Sequence, residues 1–176
     1  MKKDVVAGLG EIGFPIYKII SRNFPVYGYD IDKKLIPNNP KKFENYSVRF
    51  LHICIPYNKF FLPNVLKLNK RFLPESIVIH STIKPKTTQN LQKKLSIPII
   101  YSPTRGVHKR MASDLKRYTK FFALDNKIKN STLISKNYVN LMKKCGIKTK
   151  KISNPITLEL SKIICDTSYY GWLINY

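Results

Sequence analysis

A short apolar run near the start of the chain ends in three closely spaced glycines. These are Gly8, Gly10 and Gly13, in the pattern GxGxxG. The first glycine suits a tight turn, the second lets backbone approach a pyrophosphate, and the third lets a helix pack closely on a strand. The pattern predicts a strand, turn and helix whose N-terminal amides face phosphate groups. A glycine turn without a ligand remains the alternative.

An acidic residue ends the second predicted strand. Asp30 lies twenty residues beyond Gly10, where a carboxylate can accept hydrogen bonds from an adenosine ribose. Because a carboxylate there repels a 2′-phosphate, Asp30 favours NAD over NADP.

Strand and helix patterns alternate along the whole chain, which predicts an α/β fold with a doubly wound parallel sheet. We expect a dinucleotide-binding domain over residues 1–152 and a C-terminal helix within 153–176. Residues 37–45 and 102–117 are predicted to be loops. The predicted strands cover residues 4–9, 25–30, 48–55, 76–80, 97–101, 118–124 and 147–152, and the predicted helices cover 11–23, 58–71, 85–95, 131–145 and 155–174.

The 176 residues carry a formal net charge of +22, which favours anionic partners. The lysines are scattered, however, so a solvated basic surface is the simpler interpretation, and nucleic-acid binding ranks last because no basic stripe with interleaved aromatic residues occurs.

The three cysteines form no CxxC pair and predict buried, reduced thiols in a cytoplasmic protein, without a disulfide or metal site. We expect no membrane segment, since no apolar stretch reaches 18 residues. The cysteines are Cys54, Cys145 and Cys165.

Six segments in order resemble the N-terminal domain of the UDP-glucose/GDP-mannose 6-dehydrogenase family. The resemblance covers nearly the whole chain and implies the NAD-binding domain of an oxidoreductase that acts on the CH–OH group of a nucleotide sugar. The final segment resembles the helix that begins the family's central dimerisation domain, which implies a homodimer. The segments are VVAGLGEIGFPIYKII, VYGYDID, LHICIPY, IHSTIKPKTTQNL, YSPTRG and ITLELSKIICDTSYYGWLINY.

The resemblance also implies roles for individual residues. Lys162 would be the cation beside the reacting oxygen, Thr82 would hold a water molecule, and Asp166 stands where the family has a catalytic Asn. Pro56 and Thr82 would line the nicotinamide side, with Lys33 or Lys34 near the ribose that Asp30 holds. The pyrophosphate would be surrounded by Gly8, Gly10, Glu11, Ile12 and Gly13.

The departures from the family pattern leave two functions open. Thr104 replaces a Glu that handles water and protons in the family, and the family's further nucleotide-sugar domain, with its nucleophilic Cys, has no counterpart in these residues. The resemblance therefore implies hydride transfer that is incomplete without a C-terminal domain, which a separate chain could supply. The alternative is a non-catalytic NAD-binding or scaffold protein.

Several candidate residues also have structural interpretations. Glu159, Lys162 and Asp166 are spaced by three and four, so they can equally form a surface ion-pair ladder, and Thr82 can simply cap a turn. We expect His80 in the core and His108 in a loop. On the last helix, four residues are expected to pack against the domain or a second subunit: Tyr169, Tyr170, Trp172 and Leu173.

Overall fold

The computed structural model describes residues 2–37 and 47–175 and contains a five-stranded parallel sheet. The order β2-β1-β3-β4-β5, with every pair parallel, confirms the predicted doubly wound α/β fold. Most of the predicted loop 37–45 lies outside the described residues. The strands are β1 (Lys2–Ala7), β2 (Val26–Tyr29), β3 (Ser47–Ile53), β4 (Ser76–Ile79) and β5 (Ile99–Tyr101).

Helices cover both faces of this sheet. Successive residues of β1 point to opposite sides, so that Val6 enters one apolar cluster and Val5 and Ala7 enter the other. The first cluster is closed by α1, α4 and α5, and the second by α2, α3 and α6. The helices are α1 (Gly13–Ser21), α2 (Phe61–Phe72), α3 (Thr87–Gln92), α4 (Met111–Arg117), α5 (Ser131–Lys144) and α6 (Pro155–Asn175).

The stretch predicted as a loop over residues 102–117 is the main correction to the secondary structure. It contains a 3-10 helix (His108–Arg110) and then α4. Met111 and Leu115, four residues apart, are both buried in the cluster that α1 also joins. Only two apolar anchors in one short helix make a weak periodic signal, so the basic residues around them suggested a loop.

The last two strands form a separate small sheet. β6 (Lys120–Phe122) and β7 (Thr149–Lys151) pair in parallel, and a single antiparallel bridge between Tyr101 and Ala123 connects them to the end of β5. The side chains predicted to form a packing patch at the end of α6, those of Tyr169, Tyr170, Trp172 and Leu173, lie outside the described part of the chain.

A buried ion pair joins the two central strands. Asp4 of β1 is fully buried and accepts two hydrogen bonds from Arg49 of β3, from Nε at 3.0 Å and from a terminal guanidinium nitrogen at 2.7 Å. The backbone N–H of Phe50 also donates to Asp4, at 3.2 Å. Removing one partner of such a pair leaves a desolvated charge in the core.

We predict that Asp4→Ala lowers the free energy of unfolding by about 3 kcal/mol, because the half-buried Arg49 loses its partner and the N–H of Phe50 loses its acceptor. Urea denaturation followed by circular dichroism measures the change. The matched control is Glu75→Ala, which removes an exposed ion pair with Lys2 and should cost less than about 1 kcal/mol. Equal costs for the two variants would contradict the structural role assigned to Asp4.

Candidate functional site

A large crevice opens at the carboxyl ends of β1 and β3. Because β2 and β3 lie on opposite sides of β1, the chain leaves the sheet there in two directions, which is where ligands bind in sheets of this kind. The crevice has a volume of about 740 Å³, within the range of small-molecule pockets. Its walls come from the glycine turn, the end of β2, the segments after β3 and β4, and α2.

The three glycines of the turn have different surroundings. A Cβ on Gly8, whose φ is 89°, would lie 2.8 Å from the carbonyl carbon of Cys54, and a Cβ on Gly13 would overlap the carbonyl oxygen of Gly8. A Cβ on Gly10 would meet nothing within 4 Å. Gly8 and Gly13 therefore permit close packing of turn and helix, while Gly10 presents bare backbone to the crevice, which fits a ligand that must approach the main chain.

The residues after Gly10 complete this wall of the crevice. Glu11 and Ile12 both line it. Ile12 precedes the first turn of α1, and among the described residues no side chain of this capping position binds the helix amides. The N-terminal end of α1 therefore meets the crevice with its backbone and its positive dipole end.

Asp30 lies at the end of β2 and holds the glycine turn. One carboxylate oxygen accepts a hydrogen bond from the backbone N–H of Leu9 at 2.6 Å, and the other accepts from the N–H of Asp32 at 2.9 Å. Asp30 also lines the crevice. A carboxylate has about four acceptor positions, so these two bonds leave room for hydroxyl groups of a ligand.

The predicted neighbour of Asp30 lies further from the crevice. Lys34 belongs to a 3-10 helix (Lys33–Leu35), is exposed, and donates its backbone N–H to Asp32 at 3.0 Å. Leu35 is the residue of this helix that lines the crevice. A role for Lys34 stays a prediction.

Two cations of α2 were missed by the sequence analysis. Lys67 and Arg71 line the crevice, and the Arg71 guanidinium lies 4.8 Å from the centre of the Tyr29 ring. Their spacing of four was a usable signal, since it places both on one helix face. In a chain with many lysines that signal is not distinctive.

Two of the three residues proposed as catalytic, Lys162 and Thr82, contact the carboxylate of the third, Asp166. Asp166 accepts a hydrogen bond from Nζ of Lys162 at 2.6 Å and lies 3.5 Å from the donating hydroxyl of Thr82. Thr82 and Pro56 line the crevice. The fold thus brings residues 84 positions apart into contact. Thr82 lines the crevice, whereas Lys162 and Asp166 of α6 do not, and Lys162 lines a smaller cavity beside α6.

The expected alternative, an exposed ladder of Glu159, Lys162 and Asp166, is wrong for Glu159. Glu159 is fully buried and accepts hydrogen bonds from the backbone N–H groups of Lys86 at 2.6 Å and Thr88 at 2.9 Å. A carboxylate at the start of α3 satisfies amides that have no partner within that helix. Glu159 therefore links α6 to the start of α3, and only the pair of Lys162 and Asp166 remains of the ladder.

The cysteines differ in exposure. Burial raises the pKa of Cys54 to about 12 and that of Cys145 to about 11, so both are thiols at neutral pH. Cys54 also lines the crevice. The expectation of three buried thiols is right for Cys145 only, since Cys54 is half-buried and Cys165 is exposed on a face of α6 that lies outside the apolar clusters.

Two absences hold for the described residues. No group of three or more His, Cys, Asp or Glu side chains could hold a metal ion within that part of the chain. In the same residues, no helix has the length and apolar character needed to cross a bilayer.

Thr104, which stands in place of an acidic residue of the family, is turned into the protein. Its hydroxyl donates to the carbonyl oxygen of His80 at 3.1 Å and its N–H donates to the same oxygen at 3.2 Å. Thr104 is 6% exposed. Its side chain therefore serves the loop and supplies no proton acceptor to a ligand.

Beneath this loop lies a buried pair of histidines. His80 Nδ1 is 3.1 Å from the carbonyl oxygen of Ser102, which can only accept, so Nδ1 carries the proton. His80 Nε2 then accepts from Nδ1 of His52 at 2.9 Å. His52 Nε2 has no partner among the described residues. This bonding pattern requires His80 to be neutral, and burial favours a neutral His52 because a proton on its Nε2 would have no acceptor among the described residues.

The fold is shared with solved dehydrogenase structures. UDP-D-ManNAc dehydrogenase from Pyrococcus horikoshii matches with a TM-score of 0.76 and 18% identity over 96% of this chain and 50% of its own. UDP-N-acetyl-mannosamine dehydrogenase from Staphylococcus aureus matches with a TM-score of 0.70 and 17% identity over 96% of this chain and 51% of its own.

A third similar structure belongs to another group of dehydrogenases. Prephenate dehydrogenase from Aquifex aeolicus, in complex with hydroxyphenyl propionate and NAD+, matches with a TM-score of 0.64 and 18% identity over 90% of this chain and 62% of its own. No protein-family model and no curated protein matches the chain by sequence. The chain spans about half the length of the nucleotide-sugar dehydrogenases it resembles, and the similarity establishes a Rossmann-like fold.

We predict that the protein loses stability as the pH falls from 7 to 5. Burial lowers the pKa of His52 to about 4 and holds the pKa of His80 well below its usual value, so the unfolded chain binds protons that the folded chain excludes. His52 alone accounts for a loss of about 2 kcal/mol between pH 7 and pH 5. Urea denaturation at several pH values measures it.

The matched variant for this prediction is His52→Phe, which cannot be protonated. Its free energy of unfolding at pH 7 should be lower, because His80 Nε2 loses its donor, but the decline toward pH 5 should be shallower by about 2 kcal/mol. An identical decline in both proteins would show that His52 is not neutral in the fold.

Proposed function

We propose that this chain is the NAD-binding domain of an oxidoreductase that resembles nucleotide-sugar 6-dehydrogenases. The observation that carries the proposal is the meeting of Gly10, whose bare backbone faces the crevice, with the carboxylate of Asp30 at the same switch point of the sheet. One side suits a pyrophosphate and the other a ribose. The NAD+ in the similar prephenate dehydrogenase structure supports the same use of the fold.

Each wall of the crevice then has a role toward the cofactor. The backbone of Gly8, Gly10 and Gly13 surrounds the pyrophosphate with Glu11 and Ile12, while Asp30 accepts from ribose hydroxyls. Arg71, stacked on Tyr29, adds positive charge near the phosphates. Pro56 and Thr82, which line the crevice, would lie on the side of the nicotinamide, and NAD would there supply the hydride acceptor.

Lys162 supplies the charge that such a reaction needs. A hydride leaves a CH–OH carbon only as its proton is withdrawn, so negative charge grows on the oxygen and an ammonium beside it lowers the barrier. The 2.6 Å bond to Asp166 holds the Lys162 side chain in place. The hydroxyl of Thr82, which lies near the same carboxylate, positions water or the substrate hydroxyl.

Complete oxidation to an acid needs more than these residues. A second step through a thiohemiacetal requires a thiolate, and burial raises the pKa of Cys54 at the crevice to about 12, which keeps it unreactive. We infer that a nucleotide-sugar substrate and the second step need a further domain, from a longer protein or a partner chain.

The exposed Leu160 and Ile164 on α6 support homodimerisation through this helix. The free cysteines support a cytoplasmic location.

A second candidate is a non-catalytic NAD-binding or scaffold protein. The buried hydroxyl of Thr104, which donates to His80, favours it, since the loop offers no acid or base to the crevice. The two candidates share the cofactor and differ in turnover.

We predict that NADH binds and that Asp30→Ala raises its dissociation constant about tenfold or more, because charge-assisted hydrogen bonds to the ribose are lost. The same variant should discriminate less against NADPH, since the repulsion of the 2′-phosphate disappears. Fluorescence titration of both cofactors measures these changes. The control is Asp32→Ala, which removes an equal charge two residues away from an exposed position outside the crevice.

A loss of NADH affinity without any gain toward NADPH would mean that Asp30 only supports the turn through Leu9. Failure of the unaltered protein to bind NADH at millimolar concentration would remove the proposed function itself.

We predict that absorbance at 340 nm rises when NAD and the correct nucleotide sugar are added together with the domain that completes the site. Lys162→Met should lower this rate about 100-fold or more while leaving NADH affinity unchanged, because Lys162 lies outside the crevice lining. Binding of both ligands without turnover in every mixture would favour the scaffold function.

A further inference from the structure

A second cavity lies between α4, β6 and α6. Its volume is about 220 Å³, and it shares no lining residue with the crevice in the described part of the chain. Water occupies about 30 Å³ per molecule in the liquid, so the cavity can hold a ligand of several heavy atoms. Residues that line it include Arg105, Leu115, Tyr118, Lys120, Leu158 and Cys165.

Lys120 is the chemically distinctive residue of this cavity. It is 5% exposed, and its Nζ donates to the carbonyl oxygens of Ser102 at 2.9 Å and Pro103 at 3.1 Å. A neutral amine has two N–H groups and one lone pair, so two carbonyl acceptors use both hydrogens and leave the lone pair available. A charged ammonium would have a third N–H to satisfy in the same buried place.

The surroundings also favour the neutral amine. Burial lowers the pKa of Lys120 to about 7, with the nearby charge of Lys162 acting in the same direction. A far larger fraction of Lys120 than of an exposed lysine is therefore uncharged at neutral pH. Buried, uncharged lysines are the nucleophiles of Schiff-base chemistry.

The charges around the cavity select the ligand. Arg105 lines it with its guanidinium 5.2 Å from the centre of the Tyr118 ring, and Lys162 lines it as well. The carboxylate of Asp114 faces the same space but accepts hydrogen bonds from the N–H of Val107 and from Arg110. Lys162 is paired with Asp166 just as Asp114 is with Arg110, so Arg105 is the cation that makes a ligand with a carboxylate suit the cavity better than a neutral one.

We propose that this cavity binds a small carbonyl compound that carries a carboxylate, and that Lys120 captures it as an imine. Nζ attacks the carbonyl carbon and forms the C–N bond. The carbonyl oxygen leaves as water after it takes up two protons, one from the amine and one from solvent, and loss of the remaining N–H proton gives the neutral imine. No oxidant or reductant takes part, and hydrolysis reverses the step. The step itself uses no NAD, although Lys162, the cation proposed for hydride transfer, also lines this cavity.

Reductive trapping tests this proposal. The intact protein is incubated at pH 7 with glyoxylate and cyanoborohydride, which reduces an imine to a stable amine, and peptide mass spectrometry locates the added carboxymethyl groups. Lys120 should be modified at least about tenfold faster than exposed lysines such as Lys116, because far more of it is uncharged. Modification of Lys120 no faster than Lys116 in folded protein would overturn the proposal.

Three variants separate imine capture from mere exposure of an amine. Lys120→Arg keeps donors for Ser102 and Pro103 but has no nucleophilic amine, so the fast reaction should vanish, while Lys116→Arg should leave it unchanged. Arg105→Gln should slow the modification of Lys120 by glyoxylate severalfold but not that by propanal, which has no carboxylate. Equal slowing with both reagents would contradict the selection of an anionic ligand.

Discussion

The close contact between the glycine turn and the strands beside it is the constraint on which the crevice depends. Gly13 lies against the carbonyl of Gly8, and Gly8 lies against the backbone after β3, so a side chain at either position would push α1 away from the sheet. The carboxylate of Asp30 then fixes the turn from the side of β2 through the N–H of Leu9. The ends of β1, β2 and β3 are therefore fixed to one another by main-chain contacts, and these contacts hold the walls of the crevice in place.

The same arrangement explains which parts of the protein could be predicted from the sequence. The glycines and Asp30 act through backbone geometry at fixed spacings, so the strand, turn and helix and the crevice at their meeting point could be inferred directly. The contact of Lys162 and Asp166 also follows from helical spacing. The contact between Asp166 and Thr82 depends on how α6 lies across the sheet. The sequence indicated this contact only through its resemblance to a family.

Features that depend on packing between distant elements could not be predicted from the sequence. Glu159 looked like one member of a surface ladder, because its spacing from Lys162 says nothing about the amides of α3 that it satisfies. α4 offers only Met111 and Leu115 as apolar anchors, so its periodicity was too short to recognise. Lys120 sits in a strand of three residues, and its burial is decided by the loop of Ser102 and Pro103 and not by its neighbours in sequence.

The net charge of +22 does not determine which ligands the two cavities can bind. Exposed lysines are hydrated and screened over about 8 Å at physiological ionic strength, and their scatter gives no directed field. Three cations beside the two cavities are held by particular neighbours: Arg71 by the Tyr29 ring, Lys162 by Asp166, and Lys120 by two carbonyl oxygens. Fixed groups in partly dry surroundings act on a ligand far more strongly than solvated ones. The proposed functions therefore depend on where these three side chains are held, and the remaining basic surface is compatible with many different sequences.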